Sequence, residues 1–159
     1  MDIRTTLRSL ILSEKDRFAI VVNKLLLFPE DIIANHISSD MPRYPYIAHT
    51  KKFSLEDITI NLDGFDVAWI QSIVYDTVNN QLEIGHFALN RKLEGIGIGK
   101  RLAFALKNVV NEELFVTQIL FKERSTNPRY PTFFENVLGA TKVPAFPDGA
   151  GNDWHWNFA

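Results

Sequence analysis

The 159-residue chain contains no cysteine. That excludes disulfides, thiolate metal sites and a cysteine nucleophile, and it suits a reducing, cytoplasmic setting. The chain also lacks a strong charge of either sign, because 17 Lys and Arg stand against 19 Asp and Glu for a net −2. Nothing global therefore favours a nucleic-acid partner, and any anion site must be local. A long hydrophobic run is missing too. The most apolar stretch, FAIVVNKLLLF at 18–28, carries Asn23 and Lys24 and falls short of the about 20 residues that a membrane helix needs. It reads as core, with no signal-peptide pattern around it and no membrane partner expected. The four histidines, at 36, 49, 86 and 155, lack the close spacing of a metal site, so no metal is expected. Repeats and low-complexity tracts are absent, and one domain over 1–159 is the default.

What is present divides into a helical start and a β-rich remainder. Ile3, Leu7, Leu10 and Ile11 recur at helical spacing, as do Phe18, Val21, Val22, Leu25 and Leu26. The clustered β-branched residues of FAIVV allow a strand as the alternative. Pro29 with Glu30 and Asp31 opens a short helix. Residues 39–54, with Pro42 and Pro45, read as an irregular connection. From about residue 56 the pattern turns to β. An Asp63-Gly64 pair between apolar arms signals a hairpin, TVNN (77–80) is a second turn, and QLEIGHFAL (81–89) is a third meandering strand. Leu102, Leu106, Val109 and Val110 mark a helix. LFVTQILFK (114–122) reads as a buried strand with Phe115, Thr117, Ile119 and Phe121 on one face. A short helix follows over 131–138, with Pro131 in its first turn and Gly139 just past its end. Two strands near 140–146 and 154–158 close the chain, with Trp154 and Trp156 packing into the core. The expected fold is α+β around one mixed sheet.

The costliest local feature is LNRKLEGIGIGKRLAF (89–104), where Gly95, Gly97 and Gly99 alternate ahead of Lys100 and Arg101. A Walker-type phosphate loop fails, since Glu94 and Arg101 stand where it needs Gly and Ser or Thr. The dinucleotide fingerprint fails as well, because it needs glycine at Leu102 and a parallel unit upstream. A strand, a glycine turn and a helix start still make a backbone anion site: the first helical N–H groups are unpaired and the helix dipole favours negative charge. Arg91, Lys92, Lys100 and Arg101 against Glu94 make this stretch locally basic, as a diphosphate would require. The plain alternative is a glycine turn that fits a tight corner.

With these residues in view, the chain resembles the GNAT superfamily of N-acetyltransferases. That family's acyl-CoA loop runs Arg or Gln, two residues, Gly, one residue, Gly or Ala, between a strand and a helix. EGIGIG (94–99) matches it at Gly97 and Gly99, with Ile98 between. FFENVLGA (133–140) is similar to the family's Tyr-Glu-Lys-x-Gly-Phe helix. The resemblance is good over about 66–140 and makes 56–159 the GNAT-like core. Residues 1–55 form a divergent, mostly helical part in which the family's first strand is not evident. It implies acetyl-CoA as acyl donor, held by Glu94, Gly95, Ile96, Gly97, Ile98, Gly99, Lys100 and Arg101. Leu89 would offer main-chain groups to the pantetheine arm, and Asn127, just after the next strand, would assist. Three departures stand out. Glu94 replaces Arg or Gln, Phe134 replaces the tyrosine that protonates the leaving thiolate, and the helix is one residue longer before Gly139.

The implied reaction is direct, sequential attack of a primary amine on the thioester. Such chemistry needs a base for the amine proton, donors for the carbonyl oxygen and a proton for the thiolate. Glu83, in the strand feeding the loop, is the candidate base, against the alternative of a solvent-facing strand acid. His86 points to the opposite face in a regular strand, and only a bulge would change that. Tyr130, expected to be extended because Pro131 follows, or a water, would stand in for the missing acid. The leading expectation is therefore an enzyme, an acyl-CoA-dependent N-acyltransferase. The alternative of a different class is a catalytically impaired GNAT-like module that binds CoA for a regulatory or binding role, for which Glu94 and Phe134 argue. The amine acceptor is not legible in the sequence, and the family's habits allow a homodimer.

Overall fold

The computed structural model describes residues 14–47, 49–123, 129–144 and 152–158. The helix expected through Ile3, Leu7, Leu10 and Ile11 lies outside them, as does Asn127. Helix α1 (Glu14–Leu27) takes up FAIVV, so the strand alternative falls. Its apolar residues stand three and four apart, which gathers Val21 and Leu25 into the core while Phe18, Val22 and Leu26 pack against it. Helix α2 (Pro29–Ala34) begins on the proline, with Glu30 and Asp31 in its first turn and Ile32 and Ile33 buried. No helix among the described residues is long and apolar enough to cross a membrane.

Among the described residues, eight strands form one mixed sheet: β1 (Arg43–Ile47), β2 (Lys52–Leu55), β3 (Ile58–Leu62), β4 (Phe65–Asp76), β5 (Gln81–Leu89), β6 (Gln118–Glu123), β7 (Thr141–Pro144) and β8 (Asn152–Asn157). Their order is β1-β2-β4-β5-β6-β8-β7, with β3 also on β4. The first two correct the expectation of an irregular 39–54. Arg43, Tyr44 and Pro45 of β1 are exposed, so the strand carries no apolar alternation, and an edge position tolerates its proline. The meander of β3, β4 and β5 holds as expected, turning at Asp63 and Gly64, which both have positive φ. Strands β5 and β6 are parallel, joined by helix α3 (Ile98–Leu114), which buries Leu102, Leu106, Val109 and Val110.

The strand expected over 114–122 begins later. Phe115 is the left-handed residue that ends α3, with φ 59, and is 75% exposed; β6 starts at Gln118, and Ile119 and Phe121 carry its buried face. After β6, helix α4 (Arg129–Thr132) runs into a wide turn over Phe133–Val137. There the Leu138 amide donates to the Phe133 carbonyl five residues back, at 3.1 Å. The extra residue before Gly139 is absorbed by this widened turn, a form that recurs at functional sites. Tyr130 is helical, not extended. Pro131 falls in the first turn of α4, where no intrahelical N–H is needed, and that permits the helix to start before it.

One rung of the sheet has a consequence for the site. Ser72 on β4 faces Gly85 on β5, and Ser72 has φ 53. The register is kept across this rung, yet the buried positions change parity on both strands. Ala68 and Ile70 give way to Ile73 and Tyr75 on β4, and Leu82 and Ile84 give way to Phe87 on β5. The break coincides with the step from β2 to β3, where the Asp57 carboxylate accepts the Ser72 amide at 2.9 Å. A Cβ on Gly85 would stand 2.6 Å from the Ser72 Cβ, so glycine alone fits the rung.

Candidate functional site

Strands β5 and β6 pair only as far as Ile84 and Phe121. Beyond them β5 continues through Gly85–Leu89 paired with β4 but not with β6, and the two strands part. The parity change turns Phe87 and Leu89 toward the helices, where they line a cavity of about 540 Å3. Its other walls are the glycine loop (Glu94, Gly95, Gly97, Gly99, Lys100) and the α4 segment (Arg129, Tyr130, Thr132, Phe133, Val137).

The three glycines do different work. Gly95 and Gly97 hold φ +81 and +83 with open space around them, a backbone that side chains resist. Gly97 is the N-cap of α3. The first intrahelical bond runs from the Arg101 amide to the Gly97 carbonyl at 3.3 Å, so the amides of Ile98, Gly99 and Lys100 have no carbonyl inside the helix to bond. Gly99 differs from both: it has no positive φ, and a Cβ there would meet the Phe133 ring at 3.4 Å, an ordinary van der Waals contact. Upstream, the Asn90 side chain accepts the Lys92 amide at 3.0 Å and donates to the Asp66 carbonyl at 2.9 Å, pinning the loop to β4.

Glu94, the acid expected to disturb an anion site, is paired: its Oε2 lies 3.0 Å from Nη1 of Arg129. Arg129 went unnoticed in the sequence because no motif marks it. Phe87 and Phe133 were findable, the first by alternation from Leu89. Phe134 is 3% exposed, and its ring stacks on Phe121 at 4.9 Å and on Tyr130 at 6.3 Å. It belongs to the core, while the tyrosine beside it lines the cavity. Burial pushes the Tyr130 phenol above its ordinary value of 10.0, and the Glu94 carboxylate pushes the same way. Arg91 and a backbone hydrogen bond with Leu89 oppose the rise without cancelling it.

Leu89, Glu94, Gly95, Gly97, Gly99, Lys100 and Tyr130 thus meet around one cavity. Four of the expected residues do not line it. Ile98 is buried and Ile96 exposed beside the loop, and Arg101 turns away, its Nη1 donating to the Leu26 carbonyl at 3.1 Å. Glu83 is 16% exposed and lies 3.6 Å from the Lys122 ammonium, across the sheet from the Ile84 and Phe121 side. His86 is exposed. Because parity changes at Gly85, Glu83 and His86 share that face, and regular alternation would have separated them. Trp154 and Trp156 are buried, as expected.

A mixed sheet that parts beside a glycine turn and a helix start defines a class: this is the fold of the GNAT acyl-CoA N-acyltransferases. A candidate acyl-CoA N-acyltransferase from Klebsiella pneumoniae is similar with TM-score 0.52 and 15% identity, over 72% of this chain and 77% of that one. A candidate streptothricin acetyltransferase from Bacillus anthracis, solved with acetyl coenzyme A, gives TM-score 0.50 and 19% identity over 72% and 67%. The PaiA N-acetyltransferase from Thermoplasma acidophilum, solved with coenzyme A, gives TM-score 0.48 and 12% identity over 65% of this chain. The match spans 62% of that protein's length, less than two thirds. No protein-family model and no curated protein matches the chain by sequence.

Proposed function

We propose that the protein is an acyl-CoA-dependent N-acyltransferase that moves an acetyl group from acetyl-CoA to a primary amine. The observation that carries this reading is the cavity itself, where a stretch of β5 left uncovered by β6 adjoins a helix start whose first amides have no carbonyl inside the helix to bond. The diphosphate would lie on the amides of 97–100 with Lys100 beside it. The pantetheine arm would run along Leu89, in the gap where β5 and β6 part, with Asn127, outside the described residues, as a further contact.

In the reaction, the amine nitrogen attacks the thioester carbonyl, the C–N bond forms, the C–S bond breaks and the thiolate takes a proton. Tyr130 is the proposed donor, because burial and Glu94 keep its phenol protonated. Glu83 is the proposed base for the amine proton. Its carboxylate already holds a primary ammonium, that of Lys122, at 3.6 Å, which supports affinity for an amine cation. The acceptor would then come from the face that Glu83 and His86 share.

Calorimetry with acetyl-CoA tests the donor site. Binding is expected in the wild type and lost in Gly97→Trp, whereas no wild-type binding near micromolar concentration, or an unaffected Gly97→Trp, rejects it. Thiol release across a panel of amines tests turnover. Binding without release would instead favour a CoA-binding module that has lost catalysis, for which the core position of Phe134 speaks.

A further inference from the structure

We infer that Arg129 is a diphosphate-binding residue, and that Glu94 is the positioning residue that holds its guanidinium over the glycine loop. The inference rests on the acyl-CoA reading and deepens it. The loop carries a carboxylate beside the helix start where an anion would bind, and a bare carboxylate there would repel it. The molecule answers this charge from the opposite rim. Arg129 of α4 reaches across to Glu94 at 3.0 Å, and both side chains line the cavity together with Lys100. The exposures are unequal, 20% for Glu94 and 67% for Arg129. The acid is tucked against the protein, while the cation lines the cavity and is largely open to solvent, from which an anion must arrive.

A guanidinium carries five N–H donors in a rigid fork, so a carboxylate and a phosphate can share one. Seated this way, Arg129 brings its charge to the loop from a different element. The pair also explains why the acid is tolerated. Glu94 does not weaken the site but fixes a long, otherwise mobile side chain in place. The neighbouring residue adds to the argument, because Tyr130 lines the same cavity as Leu89 and the loop. Two consecutive residues of α4 therefore face the glycine loop and the end of β5 across the cavity, so a ligand held by Arg129 also sits against Tyr130.

The test is titration of the full chain with CoA and with dephospho-CoA, which keeps the diphosphate but lacks the 3′-phosphate. Arg129→Gln is expected to weaken both about tenfold or more, the loss that follows removal of one charge-assisted hydrogen bond. Glu94→Gln is expected to weaken binding as well, and the double variant to bind no worse than Arg129→Gln alone. Glu94→Arg combined with Arg129→Gln, which returns the basic charge to the loop, is expected to recover affinity. Wild-type affinity in Arg129→Gln, tighter binding in Glu94→Gln, or a loss confined to CoA would each overturn the inference while leaving the acyl-CoA site intact. A wild type that binds neither ligand would overturn the acyl-CoA reading, and the inference with it. Arg129 is largely exposed, so its variants are expected to melt with the wild type, and Arg129→Lys gives a conservative second measurement.

Discussion

Gly85→Ala is the substitution whose effect follows most directly from the geometry. The added methyl would stand 2.6 Å from the Ser72 Cβ and 3.4 Å from the Ser72 carbonyl oxygen. Carbon atoms pack best at about 3.5–4.0 Å, so the two strands must separate by close to 1 Å at a rung that both neighbours hold in register. Neither atom is the end of a flexible side chain, and the backbone itself has to move. Overpacking of this kind costs about 1–3 kcal/mol, and the upper half of that range is expected because Asp57 pins the Ser72 amide. Urea denaturation of the variant should show a lower midpoint at unchanged slope. The decisive measurement is the double variant. Ser72→Gly removes the clashing Cβ and suits the positive φ, so Gly85→Ala with Ser72→Gly should regain most of the loss, with a coupling of about 1 kcal/mol or more. A Gly85→Ala protein within about 0.5 kcal/mol of wild type, the size of an ordinary surface change, or a double variant with no coupling, would refute the steric account of this rung.

Two further outcomes are expected. Tyr130→Phe should lower turnover about 10²-fold, the smaller end of general acid catalysis, and leave CoA affinity unchanged by calorimetry; unchanged turnover across pH removes the tyrosine from the mechanism. Because its pKa is raised, the wild-type phenol stays protonated until the pH passes above its ordinary value, so no loss from this group should appear near neutrality. For Asp76, burial acts to raise the pKa, but hydrogen bonds from Asn79 and Val78 and the charge of Lys52 leave it lowered overall. Its stabilising contribution is therefore present above the unfolded carboxylate value of 3.8 and is lost as pH falls through the folded one. Urea midpoints from pH 7 down to pH 3 should drop less steeply for Asp76→Asn than for the wild type.

How legible each element was follows from where its information resides. Strand β5 was readable to the residue, since QLEIGHFAL is flanked by turn residues on one side and the glycine loop on the other. The β3–β4 hairpin was equally plain, because Asp63 and Gly64 accept the positive φ that its tight turn needs. Strand β1 was hidden because an edge strand need not alternate, and β2 because its four residues are too few to show a pattern; the pairing of β1 with β2 and of β2 with β4 is a long-range fact. Phe115 misled for another reason: an aromatic residue beside Val116 looks like a strand, whereas here it ends a helix in a left-handed conformation. In the site, the loop was legible because a helix start and its glycines are local. The partner of Glu94 was not, since Arg129 lies 35 residues away and no spacing rule connects them.

The parity change at Ser72 and Gly85 bears on function more than the loop does. The glycine loop accounts for where an anion would sit, and many chemistries could use such a seat. Acyl transfer asks for more: a donor carbonyl and an amine must meet, yet the cavity lies on the helix side of the sheet and Glu83 and His86 lie on the other. Where β5 and β6 are paired, the sheet separates the two sides. They part immediately after Ile84 and Phe121, one residue from Glu83 and at the rung where side chains exchange faces. A thioester lying along the half of β5 that β6 leaves uncovered would therefore present its carbonyl at the edge of this gap, with Glu83 just beyond it. Gly85→Ala with Ser72→Gly relieves the clash and keeps the positive φ, and so keeps the exchange of faces; it should therefore restore turnover together with stability.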